Sequence, residues 1–395
     1  MASNNTGGGK IPSSQPNNPA AQNAAARNLI LTQGVERLQQ IYSTGINPAN
    51  QTIVNIVPQN VGLIRGFLVK VSGTIANTNT GASGVALART NFGAANLLRN
   101  IGFTDVNNQV RHQTQGWHLN LINSAKQPMV MGGAYAPNVP VGYGNNYDVM
   151  TAPAAISVAT GTADVQFYYY VPLSYSKVDL RGAMWAGIVN AVAQLQLEIN
   201  PNPVVAAADK GLAAYSGNTG GWQGNVTLTV WQDYIDQVPM DQNNNPILPQ
   251  NDLSILYQLQ NSTLSALVAN QDFGVPFANF RNFLSTALVY DNGGTYNAGT
   301  DINYFALQTA NSSNIWKYGP EEAALLARST FMADPPAASY YFDHRAKPIS
   351  TQQFGNTQIT INPSVVNANA AIWAGFEYFS QASQVVFAGS LPSGG

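Results

Sequence analysis

Residues 291–305 read "DNGGTYNAGTDINYF", with Asp291 and Asp301 on either side of a glycine- and asparagine-rich run. Carboxylates bind hard cations, and glycines let backbone N–H groups approach an anion. Neither template fits. Counted from Asp291, the third, sixth and twelfth positions of a calcium loop fall on Gly293, Tyr296 and Ile302. The ligand, the glycine and the bidentate glutamate are therefore all missing. Gly294 and Gly299 have the separation of a phosphate loop, but Thr300 stands where its lysine must be. Asp301 would then repel the phosphate. Asn292–Gly293 after the apolar run "FLSTALVY" is a hairpin signal instead. The expectation is a catalytically silent turn.

The other reactive types give no stronger pattern. Of the three histidines, His112 and His118 would share a face of an unbroken strand, but no third metal ligand stands at a suitable spacing. His344 follows Asp343 in "YFDHRAKP". A Ser–His–Asp triad would need a serine on a strained elbow, and no Gly-x-Ser-x-Gly occurs. A local Asp343–Arg345 ion pair is expected there. Glu321 and Glu322 follow Pro320 in "GPEEAALLAR", which is a helix start with acids facing the dipole. With no cysteine, there is no disulfide, thiolate metal site or thiol nucleophile. Tyr168–Tyr170 and Trp373 suit a sugar platform or a strand core, and their spacing favours the core. No catalytic, cofactor-binding or metal residue is predicted.

Such side chains would have to be positioned mainly by strands. In "LIRGFLVKVSGTI" (63–75), "ADVQFYYYV" (163–171), "NVTLTVW" (225–231) and "TQITIN" (357–362), apolar residues alternate with others. That is the period of half-buried strands. Gly-, Asn- and Pro-rich loops separate them, a pattern of antiparallel sandwich or jelly roll rather than βαβ units. Before the strands, Asn18 and Pro19 predict an N-cap and first turn, and Gly34 a stop, for a helix over about 19–33. Its second half holds Leu29, Ile30 and Leu31. "VERLQQIYS" can continue the helix or run extended. The stretch "VPMDQNNNPILPQND" (238–252) is the clearest linker. Two weak internal echoes, 178–183 with 385–390 and 95–105 with 280–291, hint at two halves of one type.

These signals divide the chain into a disordered arm (1–18), the helix and an entry segment (19–43), a first β unit (44–240), a linker (241–250) and a second β unit (251–395).

Charged residues make up 9% of the 395, against roughly 25% in ordinary soluble domains. Mean hydropathy is -0.09, neither membrane-like nor strongly polar. Such a surface suits either close side-by-side packing of many copies or a neutral extracellular β-protein. Net charge is -2, and the first 27 residues hold only Lys10 and Arg27. Direct nucleic-acid binding is disfavoured, because that chemistry relies on Lys/Arg-rich segments. The N-terminus lacks the apolar core of a secretory signal, so Asn-x-Ser/Thr triplets such as that at Asn50 are read as incidental.

Specific strings go further. "VGLIRGFLVKVSGTIANT" (61–78), "NFGAANLLRNIGF" (91–103), "GWHLNLINSAKQ" (116–127), "YYYVPLSYSKVDLRGA" (168–183), "VWQDYIDQVP" (230–239), "LSILYQLQNS" (253–262), "YDNGGTYNAGTDINYFALQTAN" (290–311) and "GFEYFS" (375–380) stand in order along the chain. Together they resemble the major capsid protein of tectiviruses, tailless icosahedral phages with an internal membrane. The resemblance implies a mainly β fold, a double jelly roll of two eight-stranded antiparallel β-sandwiches with an N-terminal helix. It implies a homotrimer with a pseudo-hexagonal outline that contacts neighbouring capsomers and penton and minor virion proteins. It also implies a place in the virion shell, synthesis in the host cytoplasm, and an inward helix facing the viral membrane. Leu29, Ile30 and Leu31 are the expected membrane-facing patch. The rival readings are a carbohydrate-binding or adhesive β-sandwich and a two-carboxylate glycoside hydrolase.

Overall fold

A computed structural model describes residues 18–78, 84–126, 152–158, 161–187, 192–205, 212–217, 219–294, 299–309, 314–331 and 334–381. Helix α1 (Pro19–Gln33) begins as its residues dictate: the Asn18 side chain accepts the Ala20 N–H at 3.1 Å, and Pro19 fills the first turn. It stops at Gly34, where a Cβ would lie 2.4 Å from Ile235 and 2.6 Å from the Ile30 carbonyl. The chain then runs extended, which resolves the ambiguity of "VERLQQIYS". Strand β1 (Val35–Ile46) is already part of the first sheet, so residues 35–43 are not an entry segment. Arm residues 1–17 lie outside the described residues.

Seven more long strands complete the first sandwich: β2 (Ile53–Ile56), β3 (Leu63–Asn77), β4 (Leu98–Thr104), β5 (Val110–Thr114), β6 (Thr162–Pro172), β7 (Gln194–Ile199) and β8 (Gly220–Asp236). One sheet has the order β1-β8-β3-β6 and the other β2-β7-β4-β5. The second half supplies β9 (Ile255–Leu264), β10 (Phe273–Pro276), β11 (Asn282–Asp291), β12 (Ile302–Gln308), β13 (Asn314–Tyr318), β14 (Ser339–Asp343), β15 (Gln358–Pro363) and β16 (Ala371–Gln381). Its sheets run β9-β16-β11-β14 and β10-β15-β12-β13. Subtracting eight from each label reproduces the first order strand for strand. The molecule is mainly β, a double jelly roll.

This duplication corrects one echo. Residues 95–105 hold β4, the fourth strand of its sandwich, whereas 280–291 hold β11, the third of its own, so the two strings are not counterparts. The other echo falls on 385–390, outside the described residues.

Helix α2 (Gly116–Lys126) follows β5, and helix α3 (Pro320–Phe331) follows β13, the equivalent place in each half. Helix α3 is as expected: Glu321 and Glu322 lie in its first turn, and Ala323, Ala327 and Phe331 turn inward at four-residue intervals. Helix α2 escaped the sequence reading because Gly116 through Ala125 are all buried, leaving no polar face to reveal a helical period. It starts at a glycine because a Cβ there would lie 1.9 Å from the Ala95 carbonyl.

The apolar faces of β3, β6, β8 and β15 point where their alternation predicts: Phe67, Val69, Val71, Phe167, Leu228, Val230, Ile359 and Ile361 are buried. Each sandwich has its own core, and the first continues across the junction through Tyr257, Trp373 and Phe379. A third, smaller cluster seats α1: Ile30 packs with Leu63, Leu180, Ala183, Ile235, Val238 and Leu253. The start of β3 is therefore covered on both faces, where alternation alone predicted one.

Candidate assembly surfaces and the seam between the jelly rolls

The two carboxylates of the glycine-rich stretch close a loop. Asp291 ends β11 and accepts the Gly294 N–H at 2.7 Å. Asn292 Nδ2 donates to Asp301 Oδ2 at 2.9 Å, and Asn292 Oδ1 accepts the Asn367 N–H at 2.6 Å. Gly293, Gly294 and Gly299 have φ of 65°, 84° and 100°, the left-handed region that other residues adopt only with strain. The stretch connects β11 to β12. Asp343 and Arg345 form the expected local pair, at 2.8 and 2.5 Å, and Arg345 also donates to the Ala125 carbonyl at the end of α2.

The histidines do not share a strand face. His112 lies in β5 and His118 in α2, both fully buried. Strands β5 and β9 pair in parallel, His112 opposite Leu259 and Gln113 opposite Gln260, so one sheet of each sandwich merges into a single sheet. His112 Nε2 sits 2.6 Å from the Pro172 carbonyl, and Leu259 N–H donates to His112 Nδ1 at 3.2 Å. The ring is therefore neutral and protonated at Nε2. His118 Nδ1 lies 2.8 Å from Thr114 Oγ1 and 3.0 Å from Asn261 Oδ1, while the Thr114 hydroxyl itself donates to Asn261 Oδ1 at 2.7 Å. His118 thus donates from Nδ1, and its buried Nε2 has no hydrogen-bond partner among the described residues. Burial lowers His112 to about 3 and His118 to about 4.

Beside this seam lies a buried ion pair. Lys126, the last residue of α2, stands 3.1 Å from Glu377 of β16. Tyr257 OH donates to one Glu377 oxygen at 2.7 Å and Ser285 Oγ to the other at 2.7 Å. Lys126 Nζ also donates to the Tyr175 carbonyl at 2.8 Å and lies 4.1 Å from the centre of the Tyr257 ring. Burial opposes the Glu377 charge, yet Lys126 and the two hydroxyl donors hold the carboxyl below its ordinary value. On the far side, buried Arg65 bonds Asp233 at 2.7 Å and Glu36 at 2.6 Å. Part of a sparse stock of charge is thus spent joining elements. Sequence reasoning missed Lys126 and Glu377; the available signal was a single acid inside the apolar run "AIWAGFEYFSQ".

The expected outward patch needs correction. Ile30 is 0% exposed in the α1 seat, and Leu31 leans on the same cluster. Consecutive helical residues point about 100° apart, so three in a row cannot share one face. Leu29 is half-buried, and the outward side of α1 carries Ala21, Gln22, Ala25 and Asn28. Helix α1 is tied by Asn23 and Arg27 to Asp252, at 2.8 and 3.3 Å, in the segment that connects the sandwiches. Strand β1 is an open sheet edge whose residues Val35–Gln40 are all exposed, Leu38 by 56%.

Two side-by-side jelly rolls fused through one sheet make this a protein of the double jelly-roll class. The fold is shared with a chain in the atomic structure of Sulfolobus Turreted Icosahedral Virus, at TM-score 0.63 and 12% identity over 88% of this chain and 91% of that one. It is also shared with the PBCV-1 virus capsid, at TM-score 0.53 and 12% identity over 87% and 94%. The chain belongs to the P3 major capsid protein family: the family's N-terminal part matches residues 20–238 and its C-terminal part residues 254–393. It is 41% identical over 377 residues to the Major capsid protein P3 of Enterobacteria phage PRD1, covering 94% of each. It is a structural coat protein of the virion and not an enzyme.

Proposed function

We propose that three copies of this chain form a capsomer of pseudo-hexagonal outline, and that such capsomers tile an icosahedral shell over an internal lipid membrane. The observation that carries this reading is the repeated strand order: each chain brings two like jelly rolls side by side, so a threefold ring presents six. A trimer of this kind buries several thousand Å², the range of obligate interfaces, and covers open edges such as β1. The low charge content, 9% of residues, supports polar, weak contacts between capsomers that can anneal during assembly. Within the chain we assign residues 35–236 to the first jelly roll, 255–381 to the second, and 241–250 to the link.

Helix α1 is the inward element in this reading, and Leu29 with the neutral face around it is what it offers to lipid. Five-fold vertices would be filled by separate penton and minor virion proteins. Synthesis would be in the host cytoplasm. No direct contact with nucleic acid is required, in keeping with the net charge of -2. Cryo-electron microscopy of the purified chain mixed with lipid vesicles tests the assignment. Hexagonal arrays on the vesicle surface support it. Bare vesicles beside free trimers would remove the lipid part, and monomers would remove both.

A further inference from the structure

The first and second sandwiches meet at few backbone hydrogen bonds, because β5 and β9 pair over only two residue positions. Side chains complete the joint, and imidazole is central to it. The Leu259 N–H of β9 is accepted by His112 Nδ1 of β5. Asn261 of β9 accepts from Thr114 of β5 and from His118 of α2, and it accepts the Gln115 N–H at 3.2 Å. Gln258 of β9 donates to the Val110 carbonyl at 2.8 Å.

We propose that this seam is an acid-operated joint: protonation of His112 and His118 parts β5 from β9 and loosens the junction, the packing of Tyr257, Trp373 and Phe379 across it included, while the interior of each jelly roll away from the junction stays packed. The mechanism is local. A proton arriving at His112 Nδ1 points at the Leu259 N–H, so an acceptor becomes a donor and the bond across the seam is lost. Nε2 cannot relieve this, because it already donates to the Pro172 carbonyl. A proton arriving at His118 Nε2 enters a buried place with no acceptor among the described residues, against the backbone of β16 at Gly375.

The Pro172 carbonyl favours the charged form of His112, but the charged groups facing the ring do not. Arg111 on the same strand is neutralised by Asp105 at 2.9 Å, Lys126 of α2 adds positive charge, and β9 offers the Tyr257 ring, its centroid 6.0 Å away. His118 faces Glu377 of β16, which favours protonation, but both carboxylate oxygens already accept from Lys126, Tyr257 and Ser285. The sign follows. Both rings titrate lower when folded than when free, so the open state binds more protons below about pH 6.5, and the seam weakens as pH falls.

Hydrogen exchange of the full chain, read by mass spectrometry and normalised to the intrinsic rate at each pH, tests this. At about pH 5, each histidine favours the open seam by roughly 30-fold relative to neutral pH. Protection of 110–114 and 255–264 should therefore fall by up to about 10³-fold, while 67–71 and 359–361 change little. His118→Gln and His112→Asn should each remove about 30-fold of that response. A seam that keeps its protection to about pH 5, or one that loses it only together with both cores, would overturn the proposal. So would an unchanged response in both variants. If a variant does not fold, the wild-type comparison still decides.

Discussion

Gly375 of β16 runs against the His118 ring, and a Cβ there would sit 2.3–2.6 Å from three ring atoms. The ring is pinned by Thr114 and Asn261 and cannot retreat. Gly375→Ala should cost about 1–3 kcal/mol by overpacking. The urea midpoint should drop at unchanged slope, and an unaltered midpoint would mean that β16 does not press on α2. The Lys126–Glu377 pair makes a sharper case. Lys126→Met leaves a charged carboxylate in the interior, a loss of about 3–5 kcal/mol, whereas joining it with Glu377→Leu should restore most of that. Thermal melts of the two single variants and the double variant would show it. At this scale the sequence was readable where partners are close in the chain, as with Asp343–Arg345 or the Asp291 turn. Lys126 and Glu377 are joined only by the fold, so no spacing announces them.

Elements were legible where polar and apolar residues alternate or where a helix start is written in the chain. Alternation found β3, β6, β8 and β15, although β15 is buried on both faces, and Asn18, Pro19, Gly34 and Pro320 marked helices α1 and α3. Helix α2 is buried all round and β1 is exposed along most of its length, so neither carries a period that reads as its own structure. An apolar triplet such as Leu29–Leu31 marks burial of a helix but not which residue turns inward. Ile30 is the residue that seats α1. Ile30→Ala should cost about 2–5 kcal/mol of that docking. Amide protection should collapse in 20–33 and persist in the sheets. A uniform loss across the molecule would show instead that α1 is integral to the first core.

For the whole molecule, two halves were legible from the linker 238–252 and the double jelly roll from the ordered string resemblance, but the duplication could not be read from internal repetition. It resides in strand order, which the chain reaches through different residues in each half, so string echoes mislead. Low charge was the informative global signal. If capsomer contacts are polar and neutral, the assembled fraction should change less than about twofold between roughly 50 mM and 500 mM salt, over which the screening length shrinks severalfold. A steep dependence, followed by light scattering, would place charge pairs at those contacts.

The most direct test of the coat-protein account is the native mass of the purified chain by light scattering, with negative-stain images of the same peak. The account predicts a compact species of three times 42.1 kDa with a hexagonal outline. A monodisperse monomer at every concentration would contradict it.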